Sequence, residues 1–264
     1  MKDVFGLEGE PALVVGGGYG IGRDTALLLA KAGARVAVAD LIPERAQAVA
    51  DEIGGIALSG DVTDETIARA MVDEAHDKLG GLTKLANIVG ITKMQPFLET
   101  TSSDWDVDFK INLLQQMYVC HAAGKYMTKT GGSIALVGSV SAIHGARLHV
   151  AYGVAKAGLL SMARALADEW GPYGVRVNTV LPDANATPRH LERRGGNPED
   201  ALKAWDAKCA SEGVPLRRGG RPDEIAKPLL FFLSDMSSFI SGQSLAVDGG
   251  TIAHFPHKLG PDDK

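Results

Sequence analysis

The chain has 264 residues, 45% of them hydrophobic and 22% charged, with a net charge of -5. That length buries about 70 to 75% of the unfolded surface and sits at the upper end for one domain, so residues 1–264 read as a single globular unit. The acidic balance, with no run of lysine and arginine, offers no field for nucleic acid or an anionic membrane, and neither is expected as a partner. Met1 to Phe5 lack the charged start and apolar core of a signal peptide, and no apolar run reaches the length of a membrane span. Cys120 and Cys209 lie far apart without metal-ligand spacing, so free thiols, no bound metal and a reducing, cytoplasmic setting are expected.

In chain order, Ala12-Leu13-Val14-Val15 reads as a strand, Gly16 to Gly22 as a turn, and Thr25 to Ala32 as a helix stopped by Gly33. Backbone amides at such a turn, backed by a helix dipole, form an anion site that suits a pyrophosphate. The spacing is Gly16-x-x-x-Gly20-x-Gly22, a longer turn than Gly-x-Gly-x-x-Gly, whose register fails at Ile21. A second strand, Arg35 to Ala39, ends at Asp40, where a carboxylate can accept both hydroxyls of an adenosine ribose. Capping the helix opened by Pro43 and Glu44, which runs to Ile53, is the plainer use of Asp40. A carboxylate here repels a 2′-phosphate and Leu41 supplies no cation, so NAD is expected over NADP. Arg23 and Arg35, the nearby bases considered, are expected to face elsewhere.

The alternation continues with strand Ile56 to Ser59, a cap at Thr63 or Asp64, a helix to about Leu79, and a strand near Leu82 to Val89. One long helix is expected from about Asp104 to Lys129. A strand at Ile134 to Val137, a helix at Tyr152 to Trp170 and a strand at Val175 to Leu181 follow. Pro222 opens a helix to Leu233, and Ser244 to Val247 forms the last strand. Continuous apolar strands separated by helices predict a doubly wound α/β Rossmann fold, a seven-stranded parallel sheet with helices on both faces. Pro182 to Pro215 stands outside the pattern, with Asn197-Pro198-Glu199 able to cap a short helix, and suggests a substrate lid at about 183–214.

The strand Ser133 to Val137 runs into Gly138-Ser139, and Tyr152 and Lys156 follow four residues apart, on one helix face. A free tyrosine ionises near pH 10, so a tyrosine acting as acid/base near neutrality needs positive charge close by; Lys156 and a cationic nicotinamide are the expected sources. A tyrosine-lysine pair alone is a weak pattern and needs support from the rest of the chain.

These residues together resemble the short-chain dehydrogenase/reductase family over nearly the whole chain. The glycine turn matches Val15-Gly16-Gly17-Gly18-Tyr19-Gly20-Ile21-Gly22, and the acidic residue near the adenine matches Asp61-Val62. The Asn-Asn-Ala-Gly strand end matches Asn87-Ile88-Val89-Gly90, the helix asparagine Asn112, and the serine thirteen places before the tyrosine Ser139. Arg176-Val177-Asn178, the turn from Pro182 to Thr187, and Val247-Asp248-Gly249-Gly250 also match.

The resemblance implies reversible hydride transfer between NAD and a secondary alcohol or ketone. Tyr152 exchanges the proton, Ser139 hydrogen-bonds the substrate oxygen, Lys156 holds the nicotinamide ribose, and Asn112 supports a water chain to Lys156. A satisfied helix asparagine and a turn serine are the plain readings of Asn112 and Ser139. The implied cofactor contacts are Gly16, Gly18, Tyr19, Gly20, Ile21, Asp40, Leu41, Asp61, Val62, Asn87, Gly90, Tyr152, Lys156, Pro182 and Thr187.

Three positions depart from the family pattern. Val15 replaces a threonine that links to the Asn87 strand end, Val89 replaces alanine beside the adenine, and Asp183 replaces a glycine. Asp183 is expected to weaken NAD binding or to order the lid through a partner such as Arg189.

Ser141, His144, Arg147 and His149 lie at the expected mouth of the substrate pocket, though solvated or subunit-contact positions account for the basic ones as well. Met94, Leu202 and Trp205 can line an apolar pocket. The helix after Tyr152 is apolar on more than one face, which with the resemblance implies a homotetramer. The tail His254 to Lys258 is a candidate to reach a neighbouring subunit. A non-catalytic dinucleotide-binding sensor or scaffold and an NADPH-dependent 3-oxoacyl-type reductase are the alternatives; enoyl reduction is disfavoured because such members space the tyrosine and lysine more widely.

Overall fold

Seven strands alternate with helices along the chain: β1 (Pro11–Val15), β2 (Arg35–Asp40), β3 (Ile56–Ser59), β4 (Lys84–Asn87), β5 (Gly132–Val137), β6 (Val175–Pro182) and β7 (Ser244–Val247). In this computed structural model, which describes residues 4–253, all of them pair in parallel in the order β3-β2-β1-β4-β5-β6-β7. The tail residues His254 to Lys258 lie outside the described residues.

Alternate residues of one strand serve opposite layers, as the two-residue period of a strand requires. Leu13 and Val15 of β1 pack into one core with Leu85, Ile134 and Leu136; Ala12 and Val14 pack into the other with Val36, Val38 and Ala135. The first core is closed by α3 (Glu65–Leu79), α5 (Gln115–Thr130) and α6 (Val150–Trp170), the second by α1 (Gly20–Lys31), α2 (Pro43–Ile53) and α9 (Pro222–Leu233). Strand order reverses between β1 and β4. There the loops after the two strands diverge and leave a crevice at their carboxyl ends, the place where open α/β sheets bind ligands.

The long helix expected from Asp104 to Lys129 is not continuous. It starts at Ser102 as α4 (Ser102–Phe109), passes through a π-type turn at Lys110–Leu114, and resumes as α5. Thr101 and Asp104 form a reciprocal cap, which moves the start two residues earlier than expected. The π turn places the Asn112 side chain in a fully buried position beside the end of β4. Such turns inside helices cluster at functional sites.

The segment expected to form a lid contains α7 (Pro188–Glu192) and α8 (Pro198–Ser211). Asn197 caps α8 by accepting the Glu199 N–H at 2.8 Å, but the helix has 14 residues and is not the short one expected. Its lower end is clamped to the start of α9: Asp206 takes both arms of Arg221, at 3.0 and 2.6 Å, and the Gly219 N–H at 3.0 Å.

Candidate active site

Three turns after strands meet at the crevice. The first, after β1, is the glycine turn. Gly16 has φ +79° and Gly20 φ +53°, backbone that favours glycine, and a Cβ on Gly22 would stand 1.8 Å from the Gly16 carbonyl oxygen. The turn thus packs directly on the helix it feeds. Asp40, at the end of β2, accepts the Gly18 N–H at 3.0 Å through Oδ2 and the Ile42 N–H at 3.0 Å through Oδ1. It therefore links the glycine turn to the residue just before α2, without capping that helix through its side chain.

Beside it opens a cavity of about 310 Å³ lined by Gly16, Asp40, Leu41, Asp61, Val62, Val89 and Ile111, among others. This apolar slot next to a ribose-type acceptor has the shape and chemistry for an adenosine. Val89 narrows it as expected: a Cβ on Gly16 would come 3.0 Å from Val89 Cγ2. Arg23 is held by Glu52 at 2.7 Å, and Arg35 by the Gly9 and Leu79 carbonyls, so neither faces the slot. Arg45, which sequence reasoning missed, does approach the turn: its guanidinium lies 4.3 Å from the centre of the Tyr19 ring.

The second turn, after β4, carries Asn87, buried with its amide donating to Gln115 Oε1 at 3.0 Å while its Oδ1 accepts the Val89 N–H at 3.2 Å. Gln115 in turn donates to the Val89 carbonyl at 3.0 Å. A link expected from a threonine at position 15 is thus supplied by Gln115 from the helix instead. Asn112 grips the loop after β4 from the side: its Oδ1 accepts the Ile91 N–H at 3.0 Å and its Nδ2 donates to the Ile91 carbonyl at 2.8 Å. Gly90 is small for a reason. A Cβ there would lie 3.0 Å from Lys156 Nζ and 3.1 Å from Asn112 Oδ1.

The third turn, after β5, carries Ser139, whose Oγ accepts the Ser141 N–H at 3.1 Å and whose hydroxyl is near enough to bear on the Tyr152 phenol. Tyr152 stands in the first turn of α6 and Lys156 one turn on, its side chain wholly inside the protein. The Lys156 ammonium donates to the Val137 carbonyl at 2.9 Å and lies 5.8 Å from the centre of the Tyr152 ring. Burial pushes Lys156 down to about 7.

Burial pushes the Tyr152 phenol up, the Ser139 hydroxyl draws it part of the way back, and the charge of Asp108 adds to the rise. The lowering expected from Lys156 together with a cationic nicotinamide belongs to the nucleotide-bound state; among the protein's own groups, burial dominates at both side chains.

Ser139, Ser141, Tyr152, Lys156, His149 and Pro182 share one cavity of about 1020 Å³ with Gly90, Thr187 and the inner faces of the lid. His144 and Arg147, expected at its mouth, are exposed and are not among its lining residues. Met94 and Trp205 do line it, as expected, while Leu202 packs behind Trp205 with Ala186 and Cys209.

The lid lies close over the glycine turn: a Cβ on Gly20 would be 3.7 Å from Pro188, and the Tyr19 hydroxyl donates to Glu192 of α7. Asp183 does not pair with Arg189. Burial raises the Asp183 pKa, while the neighbouring Thr251 side chain and Ala184 N–H draw it part of the way back.

A parallel sheet with this order, a nucleotide-sized crevice at its reversal and a tyrosine-lysine-serine-asparagine set beside it define a nucleotide-dependent oxidoreductase fold. The chain belongs to the short-chain dehydrogenase/reductase family and is an oxidoreductase of that family. The matching family model, described as enoyl-(acyl carrier protein) reductase, covers residues 16–251.

The chain is 36% identical to D-threitol dehydrogenase of Mycolicibacterium smegmatis, across 93% of this chain and 94% of the relative. It is 33% identical to the 3-oxoacyl-(acyl-carrier-protein) reductase of Thermotoga maritima, across 93% and 99%. Among solved structures, a 7α-hydroxysteroid dehydrogenase complexed with NADH and 7-oxo glycochenodeoxycholic acid superposes with a TM-score of 0.83 at 31% identity, covering 95% of this chain and 97% of that one.

Proposed function

We propose that the protein is an NAD-dependent dehydrogenase or reductase of secondary alcohols and ketones, with Tyr152 as general acid/base. The carrying observation is that Ser139 and Tyr152 line one large cavity together, with Lys156 buried behind them and fixed on the Val137 carbonyl at 2.9 Å. Two hydroxyl donors aimed at one substrate oxygen stabilise developing alkoxide charge more than they stabilise the neutral ketone.

In this reading Asp40 and the slot beside Leu41, Asp61 and Val62 hold the adenosine; Gly16, Gly18, Tyr19, Gly20 and Ile21 cradle the pyrophosphate; and Asn87, Gly90, Pro182, Thr187 and Lys156 hold the nicotinamide half. Bound there, the dinucleotide supplies or accepts the hydride. Ser139 fixes the substrate oxygen, Tyr152 moves its proton, and Asn112 holds the backbone that borders Lys156. Ser141 and His149 are the substrate-side candidates that the cavity retains.

The choice of NAD rests on Asp40, whose charge opposes a 2′-phosphate. A second reading, NADPH in a 3-oxoacyl-type reductase, draws support from Arg45 beside the same turn and from the Thermotoga relative. A four-residue tyrosine-lysine spacing supports carbonyl over carbon-carbon double-bond chemistry. Homotetramer formation is supported by Val154, Ala157, Ser161 and Ala165, an exposed, mostly apolar strip along α6. A cytoplasmic setting remains the reading from sequence; no helix among the described residues is long and apolar enough to cross a membrane.

The test is a panel of cyclic and linear secondary alcohols and their ketones, each with both nucleotides, followed by absorbance of the reduced nicotinamide. Turnover with NAD exceeding that with NADP supports the proposal; no turnover of any alcohol or ketone defeats it.

A further inference from the structure

Asp108, in the last turn of α4, is a half-buried acid. Its Oδ1 accepts the Asn112 amide at 3.2 Å, while Lys93, the cation of the neighbouring loop, pairs with Asp104 at 2.9 Å. Across a small gap lined by both Asp108 and His149, the imidazole stands edge-on to Tyr152, ring centres 6.1 Å apart. The His149 Nε2 is buried without a hydrogen-bond partner. Its backbone is held in place: the preceding Leu148 has φ 67°, a strained value for leucine, and its carbonyl accepts the Gln95 N–H at 2.9 Å.

We propose that Asp108 is a positioning residue for proton transfer at Tyr152, holding the Asn112 amide on one side and, with His149, setting the charge around the phenol on the other. The inference rests on Tyr152 being the acid/base of the site.

The groups facing Asp108 are Asp104 on its own helix, Asn112 in the π turn, Lys93 from the loop after β4, and His149 at the start of α6; Tyr152 lies behind His149, where the charge of Asp108 still bears on it. Tyr152 also faces Ser139 and Lys156. Asp104 is matched by Lys93; burial and Asp104 raise the Asp108 pKa, so its negative charge is in place once the pH passes that raised value. A carboxylate beside a phenol opposes loss of the phenol's proton and favours the form that can protonate a carbonyl oxygen. Burial keeps His149 neutral at neutral pH, against the pull of Asp108. Once protonated, its cation offsets the carboxylate, so the bias toward reduction is greatest above the imidazole range.

Asp108→Asn removes the charge and keeps an oxygen to accept the Asn112 amide. Tyr152 ionisation is followed by carbon NMR on the protein labelled at tyrosine Cζ, assigned with Tyr152→Phe, alongside the pH profile of alcohol oxidation. The expected result is a Tyr152 midpoint lower by about one pH unit, with the rise of log kcat moving the same way. Asp108→Glu, which restores the charge, returns the midpoint toward wild type, and Asp108→Ser reproduces the shift should the asparagine variant fail to fold. An unchanged or raised midpoint in a folded, uncharged variant overturns the proposal. If the wild type turns over no alcohol or ketone, the functional reading fails, and the NMR titration still decides this one.

Discussion

At the outer end of the crevice Asp40 already has both oxygens engaged by the Gly18 and Ile42 amides, in a turn where Gly17, Gly18 and Gly22 leave no room for a side chain. At the inner end, Lys156 spends its ammonium on the Val137 carbonyl and the Tyr152 phenol is pushed away from neutrality by burial. The Asp40 end is finished by backbone geometry. The reacting end holds its groups in position but not yet in their working charge states. Placement is thus supplied by the fold, while the electrostatics that make a phenol a useful base depend on charge arriving with ligands.

The largest expected effect comes from breaking the inner end. Lys156→Met removes a buried amine from beneath Tyr152 and is expected to lower kcat by about 10² to 10⁴, with weaker nucleotide binding, in steady-state assays and fluorescence titration. Wild-type turnover in that variant would mean that the two ends differ in appearance only.

The next effect sharpens the outer end. Asp40→Ala is expected to cut the NAD-over-NADP ratio of kcat/KM by about ten- to a hundredfold, the span of a charge-assisted hydrogen bond. Leu41→Arg added to it is expected to carry the preference over to NADP. A wild type that already prefers NADPH contradicts the role given to Asp40.

A smaller effect lies between the ends, in the lid. Arg221 holds the Asp206 carboxylate below its usual range, so the clamp persists as pH falls through the ordinary carboxylate values and is lost only further into acid. Asp206→Ala is expected to raise KM about fivefold with little change in kcat, as befits a bidentate pair near the surface worth about 1 kcal/mol.

Most of the sheet was legible in the sequence because parallel strands buried on both faces are unbroken apolar runs such as Leu85-Ala86 and Ile134 to Val137, and each was bounded by a glycine, proline or cap. Tyr152 and Lys156 could be picked out as a pair four apart, and Ser139 and Asn112 only through the family resemblance. What stayed hidden depends on contacts distant in the chain. The π turn at Asn112 continues a helical pattern without a break in composition. Gln115 replaces a threonine from a different element, and Arg45 reaches the glycine turn from α2. Asp183 stands beside Thr251, sixty-eight residues on, and not against an arginine of the segment at 183–214. The earlier start of α4 was readable, since Thr101 followed three residues later by Asp104 is a capping signal.

The central claim is that the Tyr152 hydroxyl carries the proton, and it is tested most directly by the pH dependence of kcat in wild type and Tyr152→Phe. Alcohol oxidation needs the phenolate and ketone reduction the phenol, so for wild type the first rate should climb and the second should fall as pH passes the Tyr152 pKa. The phenylalanine variant should bind nucleotide normally and lose about 10² to 10⁴ in both directions. A variant that oxidises and reduces at wild-type rates with the same pH profile would contradict the account.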